Sequence, residues 1–115
     1  MIDGFFRIAF TGTAGSGFGM LTLRSGIIAG ADVGGMLYDG TYAENPTTGD
    51  LDIKVNMRAP AGVTPVQTGV ALTADSTFPI SAKLPRVAMD NEVPILLKTP
   101  LGPVNLVLRK IRDFP

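Results

Sequence analysis

A strict two-residue alternation over residues 51–58 constrains the fold of this chain more than any other feature. Every odd position there is apolar, and every even position is polar or charged. Because successive side chains of a β-strand point to opposite faces of its sheet, this pattern predicts a strand with one buried and one solvent-facing side. Sheets with one wet face are usually antiparallel. The apolar face would hold Leu51, Ile53, Val55 and Met57, and the polar face Asp52, Lys54, Asn56 and Arg58.

Other short apolar runs recur along the chain, separated by segments rich in Gly, Pro, Asn and Asp that are typical of turns. They predict strands over residues 4–11, 18–24, 27–32, 36–44, 51–58, 66–74, 77–84, 93–98 and 104–112. Pro79 cannot donate a ladder hydrogen bond, which places its strand at a sheet edge or a bulge. No apolar period near 3.6 residues persists, so long helices are not expected. We therefore predict an all-β fold, an antiparallel up-and-down barrel of about eight strands that forms a single domain over residues 1–115.

The composition argues against several classes of function. Ten basic residues balance ten acidic ones, so no net field attracts the protein to nucleic acid. The chain has neither Cys nor His, which removes thiolate zinc sites, the commonest general base and most transition-metal sites. We expect no metal, no cofactor, no catalytic residue and no enzymatic activity. Since the chain shows neither a signal-peptide pattern nor an apolar run of about 20 residues, we expect a cytoplasmic protein without membrane contact.

A run of glycines and tyrosines over residues 25–42 indicates how the barrel interior is built. Ser25-Gly26 predicts a tight turn, and the strand that follows the Gly34-Gly35 break carries Tyr38, Gly40 and Tyr42 on one face. An eight-stranded barrel has room inside for its own side chains or for one small ligand. The same aromatic and aliphatic side chains could therefore either line a ligand cavity or fill the core. The residues in question are Phe6, Phe10, Tyr38, Tyr42 and Ile53.

Two further groups of residues resemble functional sites, one for phosphate binding and one for acid–base chemistry. Residues 12–17 are rich in glycine, but Phe18 stands where a phosphate-binding P-loop needs Lys, so a flexible hairpin loop is predicted. Asp32 and Asp39 flank the Gly34-Gly35 turn. If buried together they could serve acid–base chemistry, whereas Asp beside Gly more commonly caps a turn through its side chain.

The order of motifs over residues 4–58 resembles the GrlR-type negative regulators of type III secretion and their bacterial relatives. The resemblance rests on Gly4-Phe5-Phe6-Arg7-Ile8, on Gly19-Met20-Leu21-Thr22-Leu23 with the glycines after it, and on Tyr38-Asp39-Gly40-Thr41-Tyr42. It implies a small lipocalin-like β-barrel that dimerises and sequesters a transcriptional activator through an acidic loop after the Tyr-Gly strand. In this chain that loop is residues 44–50, and the partner-binding residues would be Glu44, Asn45 and Asp50.

These observations leave two functions open. The first is a small cytoplasmic adaptor or regulator that binds another protein and forms a homodimer. The second is a binding protein for a small apolar ligand held in the barrel. Residues 93–97 also suggest a homodimer, because a strand with apolar side chains on both faces is expected to be buried on both faces, and a second copy of the chain could bury the outer one.

Overall fold

The structure, a computed structural model, describes residues 2–115 and is an antiparallel barrel of eight strands with one short helix. The elements are β1 (Gly4–Gly12), β2 (Gly15–Arg24), β3 (Ile27–Asp32), β4 (Leu37–Glu44), β5 (Leu51–Ala59), β6 (Ser76–Leu84), α1 (Arg86–Asn91), β7 (Ile95–Thr99) and β8 (Gly102–Asp113). All strands belong to a single sheet. The predicted all-β, up-and-down fold is confirmed.

The strand order closes this sheet almost completely. The order is β6-β5-β4-β3-β2-β1-β8-β7, and every neighbouring pair is antiparallel. Strands that follow one another in the chain are therefore neighbours around the barrel. The exception is β6 and β7, the two end strands of the sheet, which lie against each other without a hydrogen-bonded ladder. Pro79 lies in β6, an end strand, as its missing N–H predicts.

Packing in the barrel follows the alternation of β5. Leu51 is fully buried, and Ile53, Val55 and Met57 are each at most 8% exposed, whereas the side chains between them face solvent. Gly40 of β4 lies opposite Val55. A Cβ atom added to Gly40 would lie 2.1 Å from the carbonyl oxygen of Lys54, so β4 and β5 approach too closely there for any other residue.

The up-and-down course of the chain distributes its connections between two rims. The lower rim carries Asp3, the Ser25-Gly26 turn, residues 45–50, α1 and the C-terminal residues. The upper rim carries residues 13–14, 33–36, 60–75 and 100–101. No helix in residues 2–115 has the length and apolar character needed to cross a bilayer.

The prediction of a strand over residues 66–74 is wrong. Residues 60–75 instead form one long connection, the upper loop, which folds over the upper rim. Leu72 N–H donates to the Val63 carbonyl at 2.9 Å, and Ala14 N–H donates to the Val66 carbonyl at 2.8 Å. The segment is not extended because a turn closed by Gly69 N–H on the Pro65 carbonyl, 2.8 Å, interrupts it.

The predicted glycine loop over residues 12–17 is also shorter than expected. β1 and β2 pair as far as Gly12 and Gly15, which leaves only two residues in the turn. A Cβ atom on Gly17 would lie 2.6 Å from the ring of Phe10, so this glycine makes room for an aromatic side chain within the sheet. The other end strand, β7, begins at Ile95, and the helix α1 lies between β6 and β7.

Candidate functional site

A cavity of about 200 Å³ lies inside the barrel. Every strand contributes at least one lining residue, and most of the lining side chains are apolar. Packed protein interiors contain few voids larger than a water molecule. An apolar cavity of about 150 Å³ is known to bind benzene, so by simple scaling this one would hold a molecule of about eight non-hydrogen atoms.

The structure places four of the five predicted lining residues at this cavity. Phe6 and Ile53 are buried, Phe10 and Tyr38 are half-buried, and all four line the space. Tyr42 does not line it. Tyr38 and Tyr42 share a face of β4 but are four residues apart, which separates them by about 13 Å along the strand.

Tyr42 instead belongs to a polar contact at the lower rim. Its hydroxyl donates to the Asp3 carboxylate, which also accepts a hydrogen bond from Ser25 N–H at 3.0 Å. The hydrogen bond from Tyr42 holds the pKa of Asp3 below its ordinary value, with the Ser25 N–H as a further cause. Burial, together with the Asp3 carboxylate, raises the pKa of Tyr42. These contacts tie the N-terminal residues to β4 and the Ser25-Gly26 turn.

Asp32 and Tyr38 form the corresponding contact near the upper rim, where both line the cavity. Asp32 Oδ1 accepts hydrogen bonds from Gly34 N–H at 2.9 Å and Met36 N–H at 3.1 Å, and Tyr38 Oη donates to Oδ2 at 2.5 Å. Burial and the adjacent carboxylate raise the pKa of Tyr38 well above its ordinary value. Tyr38 is therefore a protonated hydrogen-bond donor at neutral pH.

The two carboxylates considered as an acid–base pair are not brought together. Asp32 caps the β3–β4 turn on the inner side of the barrel. Asp39 lies on the outer face of β4, where Arg58 Nη1 contacts its Oδ2 atom at 3.0 Å. The capping role expected for Asp beside Gly is thus the one that Asp32 fulfils.

The remaining polar lining residues also lie toward the upper rim. They are Ser16, Thr64, Gln67 and Thr99. Gln67 Nε2 donates to Thr99 Oγ1 at 3.3 Å, and the Thr99 hydroxyl donates to the Gly102 carbonyl at 2.6 Å. The cavity is consequently polar at its upper end and apolar below. Asp32 is the only charged residue among the described residues that line it.

The upper loop covers this polar end, and sequence reasoning missed its contribution. Val63 and Pro65 are buried, Val66 is half-buried, and all three line the cavity. The sequence did contain an indication of this, because apolar side chains in a loop rich in Pro and Gly are removed from water when the loop folds back onto the protein. Reading residues 66–74 as a strand hid that indication.

The proposed partner-binding loop lies at the lower rim, at the opposite end of the barrel. Arg86 N–H donates to Asp50 Oδ1 at 2.8 Å, and Arg86 Nη1 lies 3.6 Å from Glu44 Oε1. Asn45 Oδ1 accepts hydrogen bonds from Thr47 N–H and Thr48 N–H. Glu44, Asn45 and Asp50 thus make contacts within the protein that order the loop and join it to the start of α1.

A further feature is a group of exposed apolar side chains, here called the outer patch, one member of which, Val33, also lines the cavity. It consists of Phe18, Met20, Val33 and Leu37. Met20 and Leu37 both lie opposite Ala31, and Val33 N–H donates to the Phe18 carbonyl at 3.0 Å, so the four residues are neighbours around the upper half of β2–β4. Alternation along β2 places Phe18 and Met20 on the face opposite Leu21 and Leu23.

Among residues 2–115, no group of three or more acidic residues could hold a metal ion. The barrel interior offers an apolar space with a carboxylate and a tyrosine hydroxyl near one end. No protein-family model, curated protein or solved structure matches this chain, so the resemblance to the GrlR-type regulators stays a prediction from its motifs.

Proposed function

We propose that this protein binds one small, mostly apolar molecule inside its barrel. The observation that carries the proposal is the cavity of about 200 Å³ lined by residues from every strand. Side chains that line an unfilled space lack dispersion partners on that side. A ligand that fills the space restores the lost dispersion contacts with the lining side chains.

The upper loop provides the route of entry. It is held over the cavity by single hydrogen bonds, such as that from Ala14 N–H to the Val66 carbonyl, and by the packing of Val63. The strands below it are held by continuous antiparallel ladders. Loops with few buried contacts open at much lower free energy than the strands of a barrel. We therefore expect ligand entry at this loop, with the barrel itself left intact.

Isothermal titration calorimetry with ethylbenzene tests the proposed function. Wild-type protein should bind one molecule per chain. Val55→Phe should abolish binding, because Val55 lines the cavity and the larger ring would occupy the space. Lys54→Ala, on the outer face of the same strand, is the matched control and should bind as the wild type does. Absence of binding by the wild type, or unchanged binding by a folded Val55→Phe variant, would overturn the proposal.

A second candidate function is favoured by the outer patch. We propose that, as an alternative, the protein is a non-enzymatic adaptor that binds another protein, or a second copy of itself, through these side chains. Phe18 is 58% exposed and Val33 is 66% exposed, and contiguous exposed apolar side chains commonly mark interaction surfaces. This role agrees with the regulator and homodimer that the motif resemblance implies. A cytoplasmic location would suit both candidate functions.

Light scattering tests the self-association part of this alternative. A homodimer should have twice the monomer mass of 12.1 kDa at micromolar concentration. The double variant Phe18→Ser, Met20→Ser should then be monomeric. Two results together would contradict the adaptor function. The first is a wild-type protein of monomer mass, and the second is capture of the same partners by the wild type and the double variant.

A further inference from the structure

The charge of the cavity lining restricts the kind of ligand that the proposed function allows. Asp32 is the only charged residue among the described lining residues, and it is an acid. Neither Lys nor Arg is among the lining residues in the described part of the chain, and the sequence contains no His. A ligand with a carboxylate or phosphate group would meet a like charge with no cation to compensate it. The lining therefore disfavours fatty acids and other anions.

Asp32 also lacks a cationic partner within the described part of the chain. The groups that donate hydrogen bonds to it are Gly34 N–H, Met36 N–H and the Tyr38 hydroxyl, which are all neutral. The ion pairs formed within residues 2–115 involve other acids, namely Asp39, Glu44, Asp90, Glu92 and Asp113. A half-buried carboxylate at a cavity is thus satisfied by hydrogen bonds but not neutralised.

The geometry leaves acceptor positions for a ligand. A carboxylate offers about four acceptor positions. Asp32 Oδ1 already accepts two hydrogen bonds, and Oδ2 accepts one from Tyr38. One position on Oδ2 remains, and the Tyr38 oxygen, which donates to Asp32, can still accept. An ammonium group carries three N–H donors and no acceptor, so it suits this pair of oxygen atoms.

We infer that the ligand is a small primary amine, with its ammonium group against Asp32 and its alkyl or aryl body in the apolar part of the cavity. This inference rests on the proposed function, because it specifies the head group of a molecule that the cavity must first accept. The cavity volume sets the size scale of the molecule at about eight non-hydrogen atoms, scaled from benzene in its cavity of about 150 Å³. The charge-assisted hydrogen bond fixes the orientation of the amine, and the barrel interior contributes the apolar contacts.

Four probes on one carbon skeleton separate the head group from the body. They are phenethylamine, phenethyl alcohol, phenylacetate and ethylbenzene, each titrated into wild-type protein by calorimetry. The dissociation constant of phenethylamine should be lower than that of ethylbenzene by about tenfold or more. This is the difference expected of a hydrogen bond to a charged group. Phenylacetate should bind most weakly. Ethylbenzene or phenethyl alcohol binding as tightly as the amine, or phenylacetate binding most tightly, would overturn the inference and leave cavity binding intact. Failure of all four probes would overturn the proposed function as well.

A set of variants assigns the effect to Asp32. Asp32→Asn keeps the Oδ1 acceptor for Gly34 and Met36 but removes the charge, so the preference for phenethylamine over ethylbenzene should disappear. Asp39→Asn removes a charge from the outer face of β4 and should leave the preference unchanged. Tyr38→Phe removes the second acceptor oxygen but retains the Asp32 carboxylate, so it should weaken the preference without abolishing it, which gives a second test if Asp32→Asn folds poorly. A folded Asp32→Asn variant that still prefers the amine, or a Tyr38→Phe variant that loses the preference entirely, would contradict the role of Asp32.

Discussion

The Tyr38 hydroxyl donates a hydrogen bond of 2.5 Å to the carboxylate of Asp32, across the turn that joins β3 to β4. The carboxylate in turn accepts two backbone N–H groups of that turn. The Asp32 side chain therefore orders the turn, accepts the hydrogen bond of the half-buried Tyr38 hydroxyl and supplies the charge at the upper end of the cavity. Local chain geometry and the candidate site depend on the same residue.

The raised pKa of Tyr38 predicts how the protein responds to alkaline pH. Burial, and secondarily the Asp32 carboxylate, favour the protonated hydroxyl in the folded state. Its stabilising effect is complete below the ordinary tyrosine pKa of about 10, and is lost as the pH rises above that value because the unfolded chain ionises first. Urea unfolding should show stability falling above about pH 10. In Tyr38→Phe this fall should be smaller. Tyrosinate absorbance that develops near pH 10 in a folded wild-type protein, as for a free tyrosine, would contradict the prediction.

The lower-rim contact gives a prediction at the acidic end of the pH range. The hydrogen bond from Tyr42 holds the pKa of Asp3 below its ordinary value. Tyr42→Phe should therefore raise the Asp3 pKa toward that value, as measured by an NMR titration of its carboxyl carbon. Since the folded-state pKa is depressed, the stabilisation by Asp3 is present above its unfolded value and is lost as the pH falls. Tyr38→Phe, at the opposite rim, is the control. An Asp3 pKa that is unaffected by Tyr42→Phe would mean that the hydroxyl does not bind this carboxylate in solution.

The sequence allowed the barrel and the faces of its strands to be predicted, because alternation is a local property of the chain. Residues 51–58 alternate as the structure does, and Pro79 marked an end strand correctly. The position of a residue along the barrel axis could not be predicted in this way, because it depends on the register between strands. Tyr38 and Tyr42 share a face, yet only Tyr38 reaches the cavity.

Long-range contacts explain why the upper loop and the position of Asp32 were not foreseen. Residues 66–74 alternate weakly, but the Val66 carbonyl bonds to Ala14 and the Val63 carbonyl to Leu72, which sets a folded loop in place of a strand. The capping role of Asp32 could be predicted from the glycines that follow it. Its place at the cavity could not, since that depends on the β3–β4 turn meeting the upper loop, where Gly35 lies beside Val63.

Two adjacent residues of β5 test the face assignment. Ile53 is 8% exposed and Lys54 points to solvent. Ile53→Ala should cost roughly 2–5 kcal/mol, the range for truncation of a buried large aliphatic side chain. Lys54→Ala should change stability by less than about 0.5 kcal/mol. Urea unfolding of both variants measures the difference. Equal losses, or a larger loss for Lys54→Ala, would show that the register of β5 is wrong.

A pair of glycine substitutions tests the close approach of β4 and β5. Gly40→Ala would place a Cβ atom 2.1 Å from the Lys54 carbonyl oxygen, so the strands must separate locally. We expect a loss of more than about 1 kcal/mol in urea unfolding. Gly15→Ala, in the β1–β2 hairpin, is the matched control, because its Cβ atom would meet only a Val66 methyl at 3.9 Å. Gly40→Ala as stable as the wild type would contradict the strand packing described above.

The central claim, that the barrel interior is a binding site, is tested most directly by methyl NMR during a titration with ethylbenzene. The isoleucines provide both the reporters and the controls. Ile8 and Ile53 are buried and line the cavity, whereas Ile27 and Ile111 are more than half exposed. The account predicts that the methyl signals of Ile8 and Ile53 shift in a saturable manner while those of Ile27 and Ile111 do not. Unchanged signals from Ile8 and Ile53, or shifts confined to Ile27 and Ile111, would contradict it.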